Sequence, residues 1–403
     1  MSKIVSIKAY WILDSRGNPT IEVNLKTETI SVRASVPSGA SRGKHEVVEL
    51  RDNDRNFHGK GVEKAIKNVK IIENKLKGRD PREWKELDTL MVELDGTDNL
   101  SNLGGNTITA VSIALVKSAA KLEGKEIYEY FGNAHMPIPM SNIINGGKHA
   151  GNQLSIQEFM IIPSKIKSMR DRIKAMSEIY HTLKIDLKQK YGRDAINVGD
   201  EGGFAPPLTY VEDALELIQN AIEESGYSSS VFLGIDAAAS DFYENGKYHI
   251  DGKTMNSNEL LDLYMDLART FPLISIEDPF YEEDFESFAL LNKKYNGLVV
   301  GDDLVTTNPT RIKKALSMNS MNALLLKINQ IGTVKRALDS FNLMNGKNVV
   351  VSHRSGETED TFIADFAVGI GATYVKFGAP ARGERTCKYN RLMRIEDNIR
   401  GLE

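Results

Sequence analysis

The chain has 403 residues, 55 acidic against 51 basic, for a formal net charge of -4, and this balance excludes a general basic surface for nucleic acid or an anionic membrane. Hydrophobic residues at 41% and charged residues at 26% are ordinary for a globular chain and exclude wholesale disorder. The single cysteine, Cys387, excludes an intramolecular disulfide and suits a reducing compartment.

Residues 4–8 and Ile21-Glu22-Val23-Asn24-Leu25 alternate apolar with polar, the period of half-buried strands. Asp14-Ser15-Arg16-Gly17-Asn18-Pro19 supplies turn residues between them, so an antiparallel start is expected. The N-terminus breaks its apolar residues with serine and lysine, unlike a signal peptide, and no segment approaches the roughly 20 apolar residues that span a bilayer. A cytoplasmic protein is the default expectation. Apolar residues recur at three and four over residues 61–76 and 107–123, predicting two helices. Residues 1–131 thus read as a small α+β domain that ends in the breaker-rich stretch 131–137.

Over residues 132–403 the pattern becomes α/β. Short apolar runs at 195–198, 231–235, 273–276, 298–300, 323–326, 349–351 and 373–375 alternate with helical stretches. Glu201, Asp236, Glu277, Asp302, Lys327, His353 and Lys376 sit at or just past these runs, the later ones about 25 residues apart, the length of one βα unit. A single (β/α)8 barrel takes about 250 residues, so a barrel preceded by a smaller domain accounts for the length. An open doubly wound sheet would also carry polar strand ends, but its outer ends lie too far apart to cooperate, and seven such ends favour closure.

Asp236, Glu277 and Asp302 are hard oxygen ligands from three consecutive expected strands, a set suited to Mg²⁺. Each taken singly could equally cap a helix or make a salt bridge. Lys327 follows four apolar residues, and a nearby dication with desolvation would lower its pKa into the range of a general base; its alternative is a counter-charge to the acids. Lys376 poses the same choice, with the electrostatic role favoured. Glu201 lies in the glycine-rich Val198-Gly199-Asp200-Glu201-Gly202-Gly203-Phe204, where backbone approaches a ligand closely. Glu158 follows the alternating Leu154-Ser155-Ile156 and is either a second carboxyl at the same mouth, raising the pKa of its neighbour, or a salt-bridge partner. For phosphate the candidates are Ser352-His353-Arg354-Ser355-Gly356 and Pro37-Ser38-Gly39-Ala40-Ser41-Arg42-Gly43, rich in arginine, serine and freed amides. Neither is a Walker loop, and His149 in Asn145-Gly146-Gly147-Lys148-His149 would by default be structural.

These blocks together resemble the enolase family along nearly the whole chain. The matching segments are residues 13–20, 36–41, 145–152, 157–160, 198–206, 276–280, 301–304, 326–333, 351–360 and 388–390, among them Ile276-Glu277-Asp278-Pro279-Phe280 and Leu326-Lys327-Ile328-Asn329-Gln330. Ten segments in the family's order are beyond chance. The resemblance implies an α+β capping domain on a (β/α)8-type barrel with an irregular start. It implies the interconversion of 2-phosphoglycerate and phosphoenolpyruvate with two Mg²⁺ per site, the second arriving with substrate. Asp236, Glu277 and Asp302 would hold the first ion and Ser41 the second. Lys327 would remove the C2 proton, and Glu201 with Glu158 would help the C3 hydroxyl leave. Lys376 would face the substrate carboxylate, Arg354 and Ser355 the phosphate, and His149 and His353 would lie near the closed site.

It further implies a homodimer or octamer, with Glu22 and Arg394 resembling the intersubunit pair, and an additional cell-surface pool. Gly104-Gly105 and Phe377 depart from the family's usual alanine and threonine, which puts domain docking and loop packing in question but leaves every proposed catalytic position filled.

Overall fold

The computed structural model describes residues 2–40 and 43–401. It opens on an antiparallel meander of β1 (Ile4–Leu13), β2 (Pro19–Thr27) and β3 (Ser31–Ser35), in which Tyr10 lies opposite Glu22. Four helices follow: α1 (Glu63–Leu76), α2 (Trp84–Asp95), α3 (Gly105–Leu122) and α4 (Ile127–Phe131). Helix α3 is apolar around most of its circumference, and such a helix must be covered on every side. It is packed between β2 and β3 on one side and the barrel helices on the other. Its Thr109 hydroxyl donates to the Gly332 carbonyl at 3.0 Å, satisfying a polar group buried at that junction.

The barrel begins with β4 (Ile138–Asn145), β5 (Glu158–Ile162), α5 (Met169–Tyr191), α6 (Val211–Glu224) and β6 (Phe232–Asp236). A small side sheet, β7 (Tyr243–Glu244), β8 (Lys247–Ile250) and β9 (Lys253–Met255), leads into α7 (Ser257–Thr270). The remaining elements alternate as β10 (Leu273–Glu277), α8 (Phe285–Lys294), β11 (Leu298–Gly301), α9 (Pro309–Ser317), β12 (Ala323–Leu326), α10 (Ile328–Ile331), α11 (Val334–Leu343), β13 (Asn348–Ser352), α12 (Phe362–Ile370), β14 (Tyr374–Lys376) and α13 (Gly383–Arg400). Eight strands close in the order β10-β11-β12-β13-β14-β4-β5-β6. The α/β barrel with an irregular start is therefore present. All neighbours pair in parallel except β5, which is antiparallel to both β4 and β6.

The irregular start corrects two local expectations. The run at 195–198 is no barrel strand: Arg193–Ile196 forms a 3-10 turn and Val198 makes one isolated bridge to Phe204. The ring is completed instead by the β4–β5 hairpin, so Glu158 opens a reversed strand rather than following one. A four-residue apolar run has too little length to separate strand from turn, and β4 was hidden behind the breakers at 131–137. Among the described residues no helix is long and apolar enough to cross a membrane.

The departure at Gly105 has a steric account, since a Cβ there would stand 2.4 Å from Val47 Cγ2. Its amide instead donates to the Val48 carbonyl at 2.7 Å, drawing the 46–50 segment onto the start of α3. Phe377 is buried and packs at 5.9 Å against Tyr389 of α13.

A polar clasp ties α2 to the barrel. Asp88 Oδ2 accepts from the Ser112 hydroxyl at 2.9 Å and from the Lys335 amide at the start of α11 at 3.0 Å, while Oδ1 has no partner among the described residues. Burial pushes this carboxyl up to about 7, against the pull of its two donors. An acid whose folded pKa is raised binds its proton more tightly when folded, so its contribution falls as pH rises from the unfolded value toward 7. Between pH 5 and 8 wild-type stability should fall by about 2–3 kcal/mol more than that of Asp88→Asn, measured by urea unfolding at both pH values. An equal change in the two proteins would remove Asp88 from the account.

Candidate active site

Side chains alternate between the two faces of a strand, and the barrel interior is filled by Met140, Met160, Ile162, Val300, Ala323, Leu325 and Val350. Two residues beyond these inward positions toward the mouth stand Asn142, Glu158, Asp302, Lys327 and Ser352. Tyr374 leads in the same way to Lys376. Asp236 and Glu277 lie opposite each other in register, and Glu158 lies opposite Asp236 on its other side. Parity thus delivers a ring of polar groups to one end of the barrel, where Glu158, Asp236, Asp302, Lys327, Ser352 and Lys376 line a cavity together with Glu46, Glu201, His353, Arg354 and Ser355.

Lys376 is the hub of one half. Its Nζ donates to Glu277 Oε1 at 2.9 Å, Asp236 Oδ2 at 3.0 Å and Glu158 Oε1 at 3.2 Å, all deeply buried. Burial works against the ammonium, but these carboxylates outweigh it and hold Lys376 well above the ordinary lysine range. Carboxylates outnumber the cation they share. Burial and then the charge of Glu201 push Glu158 well up, and burial with the charge of Asp236 does the same to Glu277.

Lys327 holds the other half, with its Nζ 2.5 Å from Asp302 Oδ2. Burial alone would lower this lysine, as expected for a base, yet Asp302 reverses the direction and raises it above the ordinary value. Asp302 in turn accepts from Gln330 Nε2 at 2.8 Å, and the Asp302 and Asp303 amides donate to Asp278 at 3.0 and 2.7 Å. Carboxylate oxygens of Asp278, Asp302 and Asp303 lie within 4.8 Å of one another, as do ligand atoms of Glu158, Glu201 and His353. The three acids expected as one ligand set are therefore divided between two lysines, Asp236 and Glu277 on Lys376 and Asp302 on Lys327.

Glu201 reaches the cavity from the loop between α5 and α6. The reversed strand β5 explains this: a strand running away from the mouth makes α5 return toward it, so a helix–helix connection arrives where βα loops normally do. Asn142 Nδ2 donates to Glu201 Oε2 at 3.0 Å, and His353 Nε2 is 3.7 Å from Oε1. Gly378, at φ +83°, lets the chain pass the site; a Cβ there would meet the Glu201 carbonyl at 2.8 Å and His353 Cε1 at 3.1 Å.

Segment 352–356 forms the remaining wall. Arg354 donates to Glu46 through Nη1 at 2.8 Å and Nη2 at 3.2 Å, a bidentate pair buried on both sides. Ser355 is held by pairing of Gly356 with Ser38, whose hydroxyl donates to Asp14 Oδ2 at 2.5 Å. Asp14 and Ser38, which the sequence marks only as motif members, frame this wall. Ser41 lies outside the described residues, as does the side chain of His149, although the turn Gly147–His149 is described. Among the described residues the cavity measures about 40 Å³, room for about three waters, with Lys376 and Arg354 in its lining. Asn142, Glu46 and Arg385 were not singled out in the sequence, and Gln330 was marked only as a motif member. Glu46 stands three residues beyond the glycine-rich stretch 37–43.

The chain matches the family models "Enolase, N-terminal domain" over residues 4–131 and "Enolase, C-terminal TIM barrel domain" over residues 133–401. It is 52% identical to the enolase of Thermococcus gammatolerans, covering 99% of this chain and 96% of that protein. Identity to the enolase of Methanocaldococcus jannaschii is 51%, over 98% and 96% of the two chains, and to that of Methanosarcina barkeri 52%, over 98% and 95%. With both models matched in order and relatives of this identity aligned end to end, the chain belongs to the enolase family.

Proposed function

We propose that the chain catalyses the reversible dehydration of 2-phosphoglycerate to phosphoenolpyruvate, as a carbon–oxygen lyase. The observation that carries this reading is the opposition of Lys327 to the Glu158–Glu201 pair. Strands β12 and β5 stand four apart in a closed ring of eight, so a base and an acid face a molecule between them from opposite walls. That arrangement suits loss of a C2 proton on one face and of the C3 hydroxyl on the other.

The donor set fits a hard dication. It consists of carboxylate oxygens, and Glu277 Oε2 and Glu158 Oε2 are buried with no hydrogen-bond partner among the described residues. Asp236, Glu277 and Asp302 would hold one Mg²⁺, and Ser41 would contribute to a second. Bound there, Mg²⁺ supplies positive charge beside a carboxylate that becomes doubly negative once C2 is deprotonated.

The chain's own groups do the rest. Lys327 takes the C2 proton, and for this it must first be released from the ion pair with Asp302 that keeps it charged. Lys376 presents its ammonium to the developing carboxylate charge, where a preorganised cation acts most strongly. Glu201, paired with Glu158, whose carboxyl burial and the charge of Glu201 push well up, helps the hydroxyl at C3 leave with the proton it needs. Arg354 and Ser355 turn their donors to the phosphate, while His149 and His353 complete the enclosure. A cytoplasmic enzyme acting as a homodimer or octamer belongs to the same reading.

Purified protein with Mg²⁺ and 2-phosphoglycerate should generate the ultraviolet absorbance of phosphoenolpyruvate, and a chelator should abolish it. Folded, metal-replete protein that gives no absorbance change would sink the proposal. The division of labour has its own test in exchange of the C2 proton with solvent, followed by NMR in deuterium oxide. Lys327→Ala should lose exchange and turnover by about 10²–10⁴-fold, whereas Glu201→Gln should lose turnover to a similar extent and retain measurable exchange. Equal loss of exchange in both variants would refute it.

A further inference from the structure

Arg385 on α13 is completely buried, and its guanidinium converges on the wall that carries His353. Nη1 donates to the Arg354 carbonyl at 2.7 Å, and Nη2 donates to the carbonyls of Ser355 at 2.8 Å and Asp200 at 3.1 Å. Nη1 also stands 2.5 Å from His353 Nδ1. A guanidinium has only donors, so the imidazole nitrogen it meets must be the acceptor. Nδ1 therefore carries no proton. The proton of a neutral ring then belongs to Nε2, which is buried, has no hydrogen-bond partner among the described residues, and lies 3.7 Å from Glu201 Oε1.

We infer that Arg385 is a positioning residue that locks His353 as the neutral tautomer protonated on Nε2, making His353 a hydrogen-bond donor toward Glu201 and a bound hydroxyl rather than a base or a cation. The surroundings agree. The charged and titratable groups facing the ring are Glu201 from the α5–α6 loop, Glu158 from β5, Arg385 from α13, Lys376 from β14 and Lys327 from β12. Burial lowers His353 most; Glu201 opposes this, and the three cations reinforce it, holding the ring well below the ordinary histidine range. The backbone ties are part of the same device: one guanidinium links the Glu201 loop, through Asp200, to the 353–355 segment, so a single side chain bridges the walls that carry the acid and the imidazole. The assigned hydroxyl donor role rests on the dehydratase reading, whereas the tautomer does not.

The test is nitrogen-15 NMR of the full-length, ligand-free protein labelled at histidine, with the signals of His353 assigned through His353→Asn. The expected spectrum shows an acceptor-type Nδ1 and a protonated Nε2, unchanged from pH 6 to 8. A protonated Nδ1, or an imidazolium titrating in that range, would overturn the inference whether or not the protein turns over 2-phosphoglycerate. Arg385→Met should let His353 exchange between tautomers and lower kcat at least 10-fold with KM little changed, while Arg385→Lys, which keeps a donor, should restore the wild-type tautomer. A folded Arg385→Met protein with the wild-type His353 spectrum would remove Arg385 from the role, and the wild-type spectrum decides the tautomer if that variant does not fold.

Discussion

Carboxylates outnumber cations at the mouth of this barrel, in a space with room for only about three waters. Glu158, Glu201, Asp236, Asp278, Asp302 and Asp303 line it and Glu277 stands behind Lys376, with two lysines among them and the arginine of the neighbouring wall engaged by Glu46. Buried charge without a partner costs several kcal/mol per ion, so the site relieves itself in whatever way is available. Burial and crowding push Glu158 and Glu277 up toward their neutral forms, and one ammonium is shared among three acids. A dication satisfies the same oxygens that Lys376 does, so charge imbalance built into the fold is what gives the mouth its appetite for cations. The two lysines are thereby kept charged until something else answers the acids.

That imbalance also explains which parts of the site were legible in the sequence. Asp236, Glu277, Asp302, Lys327 and Lys376 follow short apolar strands at the βα spacing, because a parallel barrel repeats the same local solution and parity sends each residue after the strand inward. Glu158 and Glu201 broke the rule. One opens its strand and the other follows no strand at all, so their neighbours suggested a strand end that the chain does not form. Asn142 and Arg385 act on residues far off in sequence or outside any repeated unit, and nothing local marks a residue whose role is to hold another. Glu46 meets Arg354 across 308 positions. The family resemblance supplied names for the legible residues, not the partners that orient them.

Contacts between the first four helices, the meander and the barrel are polar at the points nearest the mouth. Asp14 and Ser38 brace Gly356, Glu46 engages Arg354, and Asp88 with Ser112 caps the start of α11. Each is buried, so each is stronger and more exacting in geometry than a surface pair. A cover attached by hydrogen bonds of fixed direction holds its position to a fraction of an ångström, whereas an apolar seam would permit sliding. Phe131 of α4 against Phe366 of α12, ring centroids 5.4 Å apart, supplies an apolar counterpart.

The single reversed strand divides the mouth into two inheritable parts. Strands β6 and β10–β14 form a repetitive sector that supplies three acids and both lysines. The β4–β5 hairpin and the α5–α6 connection form an inserted sector that supplies Glu158, Glu201 and Asn142. A slip of one residue in β5 would turn Glu158 to the outer face and leave Asp236, Glu277 and Lys327 where they are. Proton delivery and charge stabilisation can thus be rewritten separately, the first by exchanging one hairpin and one loop while the rest of the ring keeps its register. In a barrel of eight equivalent units no such seam would exist, and every change at the mouth would have to be negotiated with all of its neighbours.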